Sequence, residues 1–263
     1  MMRKNPDKLS AICKAREIIK NLCIEDASHI DIISIAFTRG AIVKDEPMKG
    51  ADGRLAALGS SGFITVREDI PEEGKKRFII AHELGHYELH RQQAPTISCT
   101  DKAFREWSYR NPIETEANYF AAEILMPEEI FKKSINSREL TPDLLQSLCK
   151  EFNMSLTATA IRFATLRPEY ALVCSSPKEI LWFVIDAEHF PIFLNTKGSL
   201  HKDSMAYEYF QGNNVPDGFF PVESHAWVDD TWRVRGELKE YAIHLKKYDQ
   251  VLSFLYIEES WDD

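Results

Sequence analysis

A chain of 263 residues with 44% hydrophobic content is long enough for two domains, and no apolar run in it approaches the roughly 18 residues of a membrane span. Acidic residues outnumber basic ones 41 to 32, and the resulting net charge of −9 opposes non-specific attraction to nucleic acid. Five scattered cysteines (Cys13, Cys23, Cys99, Cys149, Cys174) lack any Cys-x-x-Cys pair and point to reduced thiols rather than a disulfide framework or a sulfur-ligated zinc; the basic start runs into Asp7 and Lys8 rather than an apolar stretch, so no secretory signal is read and a cytoplasmic location is expected.

Residues 8–22 carry Leu9, Ile12, Ile19 and Leu22 at near-helical spacing, which predicts an amphipathic opening helix. Ser28 is placed to cap a second short helix through Ile30, Ile33 and Ala36, ended by Arg39-Gly40. Then the period changes. Residues 41–43, 54–58 and 63–66 are short β-prone runs separated by glycine-containing turns, so a small antiparallel meander is expected. Its last strand is expected beside the functional centre, where an exposed edge would pair with an extended peptide. Asp69-Ile70-Pro71 leads into the next helix, with Glu72 and Glu73 favourable in its first turn.

That helix carries His82-Glu83-Leu84-Gly85-His86. Positions four apart share a helix face, so His82 and His86 can aim two imidazoles at one point suited to zinc. Glu83 adjoins them, where a carboxylate reaches a metal-activated water as general base. Such a motif arises by chance in about 1 in 100 chains of this length, so the flanks matter. Here Phe78, Ile79, Ile80, Ala81 and Leu84 supply an apolar face that buries the helix. His90, one further turn on, is read as too distant to join the metal and as an interactor with the helix C-terminus.

Residues 91–111 read as a long irregular loop that serves as a lid. The helix from Glu114 to Leu125 shows an apolar stripe, Ala117, Phe120, Ala121, Ile124 and Leu125, and ends at Met126-Pro127. A third metal ligand is expected from this second element. Glu114 fits, with Asn118 one turn on to hydrogen-bond a histidine, while Glu116 and Glu123 compete. Glu116 lies about 200° round the helix from Glu114, so both cannot face one ion. After a short segment at 128–133, Thr141-Pro142-Asp143 starts a helix through Leu144, Leu145, Leu148 and Phe152, and Ser155 caps another over 156–166. The pair has helix-turn-helix form but no basic stripe, so it is expected to complete the catalytic domain rather than bind DNA directly.

From Tyr170 the chain is β-rich. Residues 170–173, 180–185 and 191–194 are candidate strands, and 238–245 with 251–257 reads as a half-buried hairpin. The expected organisation is α+β, with a zincin-like domain over 1–167, including the helical segment 128–167, and a β-rich sensor or interaction domain over 168–263. Trp182, Trp227, Trp232, Phe219, Phe220 and Tyr241 are read as core and interface aromatics in preference to a small-molecule pocket. His189, His201, His225 and His244 show no metal-ligand spacing.

The stretch Arg77-Phe78-Ile79-Ile80-Ala81-His82-Glu83-Leu84-Gly85-His86-Tyr87, with 114–127, resembles the ImmA/IrrE family of zinc metallo-endopeptidases across roughly 28–166. In that family the third ligand falls on the position of Glu114, which selects it over its rivals. The resemblance implies one zinc per chain and a substrate that is a separate helix-turn-helix repressor, cleaved to release silenced genes. It also implies that the β-rich tail is a variant of the GAF-like sensor some relatives carry, where a small-molecule or other signal would act. The expected chemistry is hydrolysis, with zinc lowering the pKa of its water toward about 7 and Glu83 moving the proton to the leaving amine. An oxyanion donor is sought among Tyr109, Tyr119 and Arg162. The rival reading is a metal-containing regulator that binds protein or DNA and cuts nothing.

Overall fold

The computed structural model describes residues 5–92, 96–99, 111–136, 138–186, 188–190, 193–195, 199–228 and 235–258. Two compact units emerge, one of residues 1–137 and 147–155, the other of 138–146 and 156–263. Each mixes helix with sheet, as the α+β reading expects.

The first unit opens on α1 (Lys8–Asn21), where the Asp7 carboxylate accepts the Ser10 amide at the N-terminus. Its buried face is Ala11, Ala15, Ile18 and Ile19, whereas Leu9 is 71% exposed. Small side chains let α1 lie close on α4 (Pro112–Leu125), a choice that hydropathy alone does not reveal. The second helix, α2 (Ile32–Thr38), is capped by Asp31, which accepts the amides of Ile33 and Ser34; Ser28 instead sits in a preceding 3-10 turn under Asp26.

Four strands follow: β1 (Ala41–Glu46), β2 (Gly53–Leu58), β3 (Ser61–Arg67) and β4 (Thr96–Cys99). Their order is β1-β3-β2-β4, and β1 runs parallel to β3, so the sheet is mixed and not the expected antiparallel meander. β2 and β3 form a two-residue hairpin in which Gly59 takes φ +61°, a conformation suited to glycine. The chain between β1 and β2 leaves a gap that β3 fills. Consequently β3 is interior, with Ile64 and Val66 fully buried, and the expected open edge at 63–66 does not exist. The stretch read as an irregular loop contributes β4, which pairs with β2 so that Cys99 faces Gly53.

Over this sheet lies α3 (Glu73–His90), which also packs on α4; its Ile79, Ile80, Ala81 and Leu84 are all buried. The predicted stripe on α4 is buried throughout, and the helix stops at Met126. Beyond it come α5 (Glu128–Ile135), α6 (Pro142–Phe152), through which the division between units runs, and α7 (Leu156–Leu166). Thr141 accepts the Leu144 amide at 3.2 Å, the cap its sequence predicts.

The second unit holds an antiparallel sheet in the order β6-β5-β9-β8-β7, formed by β5 (Tyr170–Ser175), β6 (Ile180–Val184), β7 (Phe220–Pro221), β8 (Glu237–Leu245) and β9 (Gln250–Glu258). The β8–β9 hairpin read from sequence forms, but it is not half-buried, since Val251 to Leu255 are covered on both faces. In 191–194 the described residues make only one bridge, Leu194 to Val228. Trp227 is 1% exposed in the core, and Phe219 packs on Tyr170, Tyr241 and Tyr256, as core aromatics do; Trp232 lies outside the described residues. Helix α8 (Met205–Phe210) is tied down by the buried Glu240 carboxylate, which accepts the amides of Met205 and Ala206, the Trp227 indole N–H and the Ser253 hydroxyl at 2.7–3.1 Å. His201, Asp203 and His225, dispersed in sequence, form a half-exposed cluster here. No described helix is long and apolar enough to cross a membrane.

Candidate active site

The site is built where α3 crosses α4. Gly85 makes this crossing close: a Cβ there would lie 3.0 Å from Phe120 Cδ1 and 3.2 Å from Ala117 Cα. Glu114 and Asn118, one turn apart on α4, thereby reach the histidines of α3. His82 Nε2 lies 3.0 Å from Glu114 Oε2 and 3.0 Å from His86 Nε2, and His86 Nε2 lies 3.5 Å from the same oxygen. All three residues are buried, Glu114 at 6% exposure.

Hydrogen bonds on the far side of each ring decide which nitrogen carries the proton. His82 Nδ1 donates to Asn118 Oδ1 at 2.9 Å, which leaves its Nε2 lone pair facing the cluster. His86 Nδ1 meets His90 Nδ1 at 3.0 Å, and His90 Nε2 donates to Glu116 Oε2 at 2.8 Å, so the chain runs His86 N–H to His90 and His90 N–H to Glu116. Burial lowers the His86 pKa to about 4, so the ring is neutral near pH 7. Two imidazole lone pairs and a carboxylate oxygen thus converge with no proton to separate them. That arrangement is repulsive unless a cation occupies the centre, and the donor set fits a zinc-type ion.

The three acids of α4 divide by role. Glu114 joins the histidines, Glu116 orients His90, and Glu123 pairs with Arg16 at 2.8 Å. His90 therefore supports His86 instead of serving the helix end, because the i to i+4 spacing brings its ring onto His86. Asp7 extends this outer layer by donating its amide to Glu116 at 2.7 Å.

Glu83 is fully buried, and neither carboxylate oxygen has a hydrogen-bond partner among the described residues. Burial pushes its pKa up to about 8, with the Glu114 charge adding to the rise and the nearby Cys99 thiol opposing it. The cavity for this side chain exists because residue 53 is glycine: a Cβ there would sit 2.5 Å from Glu83 Oε1. A buried carboxylate with no protein partner costs stability and has no packing use, which is the signature of a group kept for proton transfer.

One participant was not foreseen. Cys99 Sγ lies 3.5 Å from His86 Nε2 and 3.7 Å from Glu114 Oε2, within the same cluster. Without a cation, burial and the two carboxylates push its pKa far upward; a bound cation reverses that preference. No spacing relates it to the helix motif, and only the β2–β4 pairing delivers it. All five cysteines are free, as their spacing suggests; Cys99 is buried in a group that could hold a metal ion, whereas Cys13 and Cys23 are exposed.

Tyr119 has the Lys8 ammonium 4.9 Å over its ring, Arg162 is buried on α7 in the second unit, and Tyr109 lies outside the described residues.

Residues 39–164 match the family model Peptidase_M78, the IrrE N-terminal-like domain. Among solved structures the fold is similar to a Mycobacterium tuberculosis transcriptional regulator, at a TM-score of 0.59 and 12% identity, covering 94% of this chain and 86% of that one. No curated protein matches the sequence.

Proposed function

We propose that the M78-family domain at residues 39–164, an IrrE N-terminal-like domain, makes this chain a zinc-dependent endopeptidase. The observation that carries the reading is the convergence of His82, His86 and Glu114 beside a partnerless buried Glu83. An ion held by those three side chains would supply Lewis acidity and lower the pKa of an attacking water. Glu83 receives the proton of that water and returns it to the leaving amine. Its raised affinity for protons suits the second half of this task. Asn118 and His90 fix the two imidazole planes, so that neither ring reorganises during turnover.

The substrate we favour is a separate helix-turn-helix repressor, cleaved in the cytoplasm, as the family resemblance implies. The description of the similar Mycobacterium tuberculosis protein as a transcriptional regulator is in keeping with that role. Residues 168–263 would then serve as a sensor or interaction domain, GAF-like in function. The test is Glu83→Gln, an isosteric change that leaves all three ligands in place. The variant is expected to retain one zinc and wild-type helicity while losing cleavage of the repressor in vitro and derepression in cells. If it still relieves repression in cells, the protein is a non-proteolytic regulator.

A further inference from the structure

The cluster contains one protein donor more than a hydrolytic metal centre uses. Catalytic zinc sites keep three protein ligands and leave the fourth position to water, whereas structural sites are closed by four. Zinc bonds of about 2.0–2.3 Å in tetrahedral arrangement separate neighbouring donors by roughly 3.3–3.7 Å. Here five of the six separations among His82, His86, Glu114 and Cys99 run from 3.0 to 3.7 Å, and the sixth, Cys99 to His82, lies within 4.8 Å. Toward His86 and Glu114 the sulfur is therefore spaced as a ligand would be. Its position is fixed by the backbone, since Cys99 faces Gly53 across the β2–β4 ladder and its carbonyl accepts the Asp52 amide at 2.9 Å. A second observation points to the same place: the Glu83 carboxylate, buried and without a hydrogen-bond partner among the described residues, lies against Gly53, the residue that Cys99 faces.

We propose that Cys99 is a fourth protein ligand, so that the peptidase rests with a thiolate in the position its attacking water needs. This rests on the metallopeptidase reading above. Activation then requires the Cys99 end of β4 to leave the centre. The strand is suited to that movement, being four residues long and, among the described residues, hydrogen-bonded only to β2 and the adjoining Asp52 amide. Departure of Cys99 converts a closed four-donor site into the open three-donor site of a hydrolase without disturbing α3 or α4, which carry the other ligands.

The experiment loads the full-length chain with cobalt(II) in place of zinc and records its absorption spectrum beside those of Cys99→Ser and Cys99→Ala. The wild type should bind one cobalt and show a thiolate-to-cobalt charge-transfer band in the near ultraviolet, absent from both variants although they still bind the ion. If water reaches the centre in no more than about a tenth of wild-type molecules, freeing the position raises kcat/KM about tenfold in the zinc-loaded variants. Stoichiometric cobalt in the wild type without the band removes Cys99 from the ligand set and leaves the metallopeptidase reading standing. A band with no gain of activity in folded variants shows ligation without latency and overturns the resting-state claim. Failure of the wild type to bind cobalt or zinc at all sinks the reading on which both rest.

Discussion

Gly53→Ala should disable the catalytic glutamate without touching a metal ligand. A Cβ at this position would come within 2.5 Å of Glu83 Oε1 and 2.7 Å of Ile79 Cγ2, where ordinary contact begins at 3.4 Å. The backbone at Gly53 is strand and carries no positive φ, so the whole effect comes from crowding. Ile79 is fully buried and has little room to yield, which leaves the carboxylate to withdraw by about 0.9 Å. A displacement of about 1 Å at a reacting group costs on the order of 100-fold in rate, or about 2.7 kcal/mol of transition-state stabilisation. Overpacking adds about 1–3 kcal/mol of destabilisation, partly offset by the entropy an alanine removes from the unfolded chain. The expected result is a loss of about 100-fold in kcat/KM at unchanged zinc content, with unfolding free energy lowered by about 1–2 kcal/mol. Activity would be measured on a quenched-fluorescence peptide that the wild type cleaves, in both wild-type and Cys99→Ser backgrounds, with zinc by mass spectrometry and stability by urea titration. A variant within twofold of the wild type in kcat/KM would show that the Glu83 carboxylate does not need the cavity beside Gly53, and the role assigned to it would fall.

Three further outcomes follow from the same geometry. Asn118→Ala removes the acceptor of the His82 Nδ1 proton and should weaken zinc binding by about 10–100-fold in a chelator competition, whereas Asn118→Asp restores it; equal affinities would deny the hydrogen bond any part in holding the ring. In metal-free protein, Glu83 has its pKa raised from 4.5 to about 8, so its ionisation opposes folding: the stability it allows is complete below about pH 4.5 and is lost as the pH rises through 8. Urea titrations in chelator should show the wild type losing a few kcal/mol between pH 5 and 9 relative to Glu83→Gln, and parallel curves for the two would contradict this. Glu240→Gln places an amide NH₂ against two of the four donors that the carboxylate now accepts, and at about 1–3 kcal/mol per orphaned donor the loss should be about 2–6 kcal/mol; a change below about 0.5 kcal/mol would mean those donors find other partners.

Helices were readable because their signals are local. The stripe of α4, the Thr141 cap and the histidine pair on α3 depend on spacings of three and four residues, and each stands where the sequence places it. Sheet order was not readable, because the alternation that marks a strand says nothing about which neighbour it takes; β3 inserted itself beside β1, and β4 emerged from a stretch without strand periodicity. The same limit hid Cys99, which reaches the histidines only through pairing with β2. Glu114, Glu116 and Glu123 carry the same functional group within one helix, and helical angle sets Glu114 apart from the other two but leaves Glu116 and Glu123 on one face. Their partners, the histidines, His90 and Arg16, become visible once the packing of α1 and α3 on α4 is known.

The hydrogen that serves as the side chain of Gly85 acts as a gauge between two helices. A bulkier group at position 85 would wedge the second helix outward, and an acid on it would then stop short of the ion. A search for such centres in other sequences should therefore weigh the size of the residue preceding the second histidine alongside the histidines themselves. Conversely, a graded series of small residues at position 85 offers a way to tune how firmly the ion is gripped while every coordinating atom stays chemically the same.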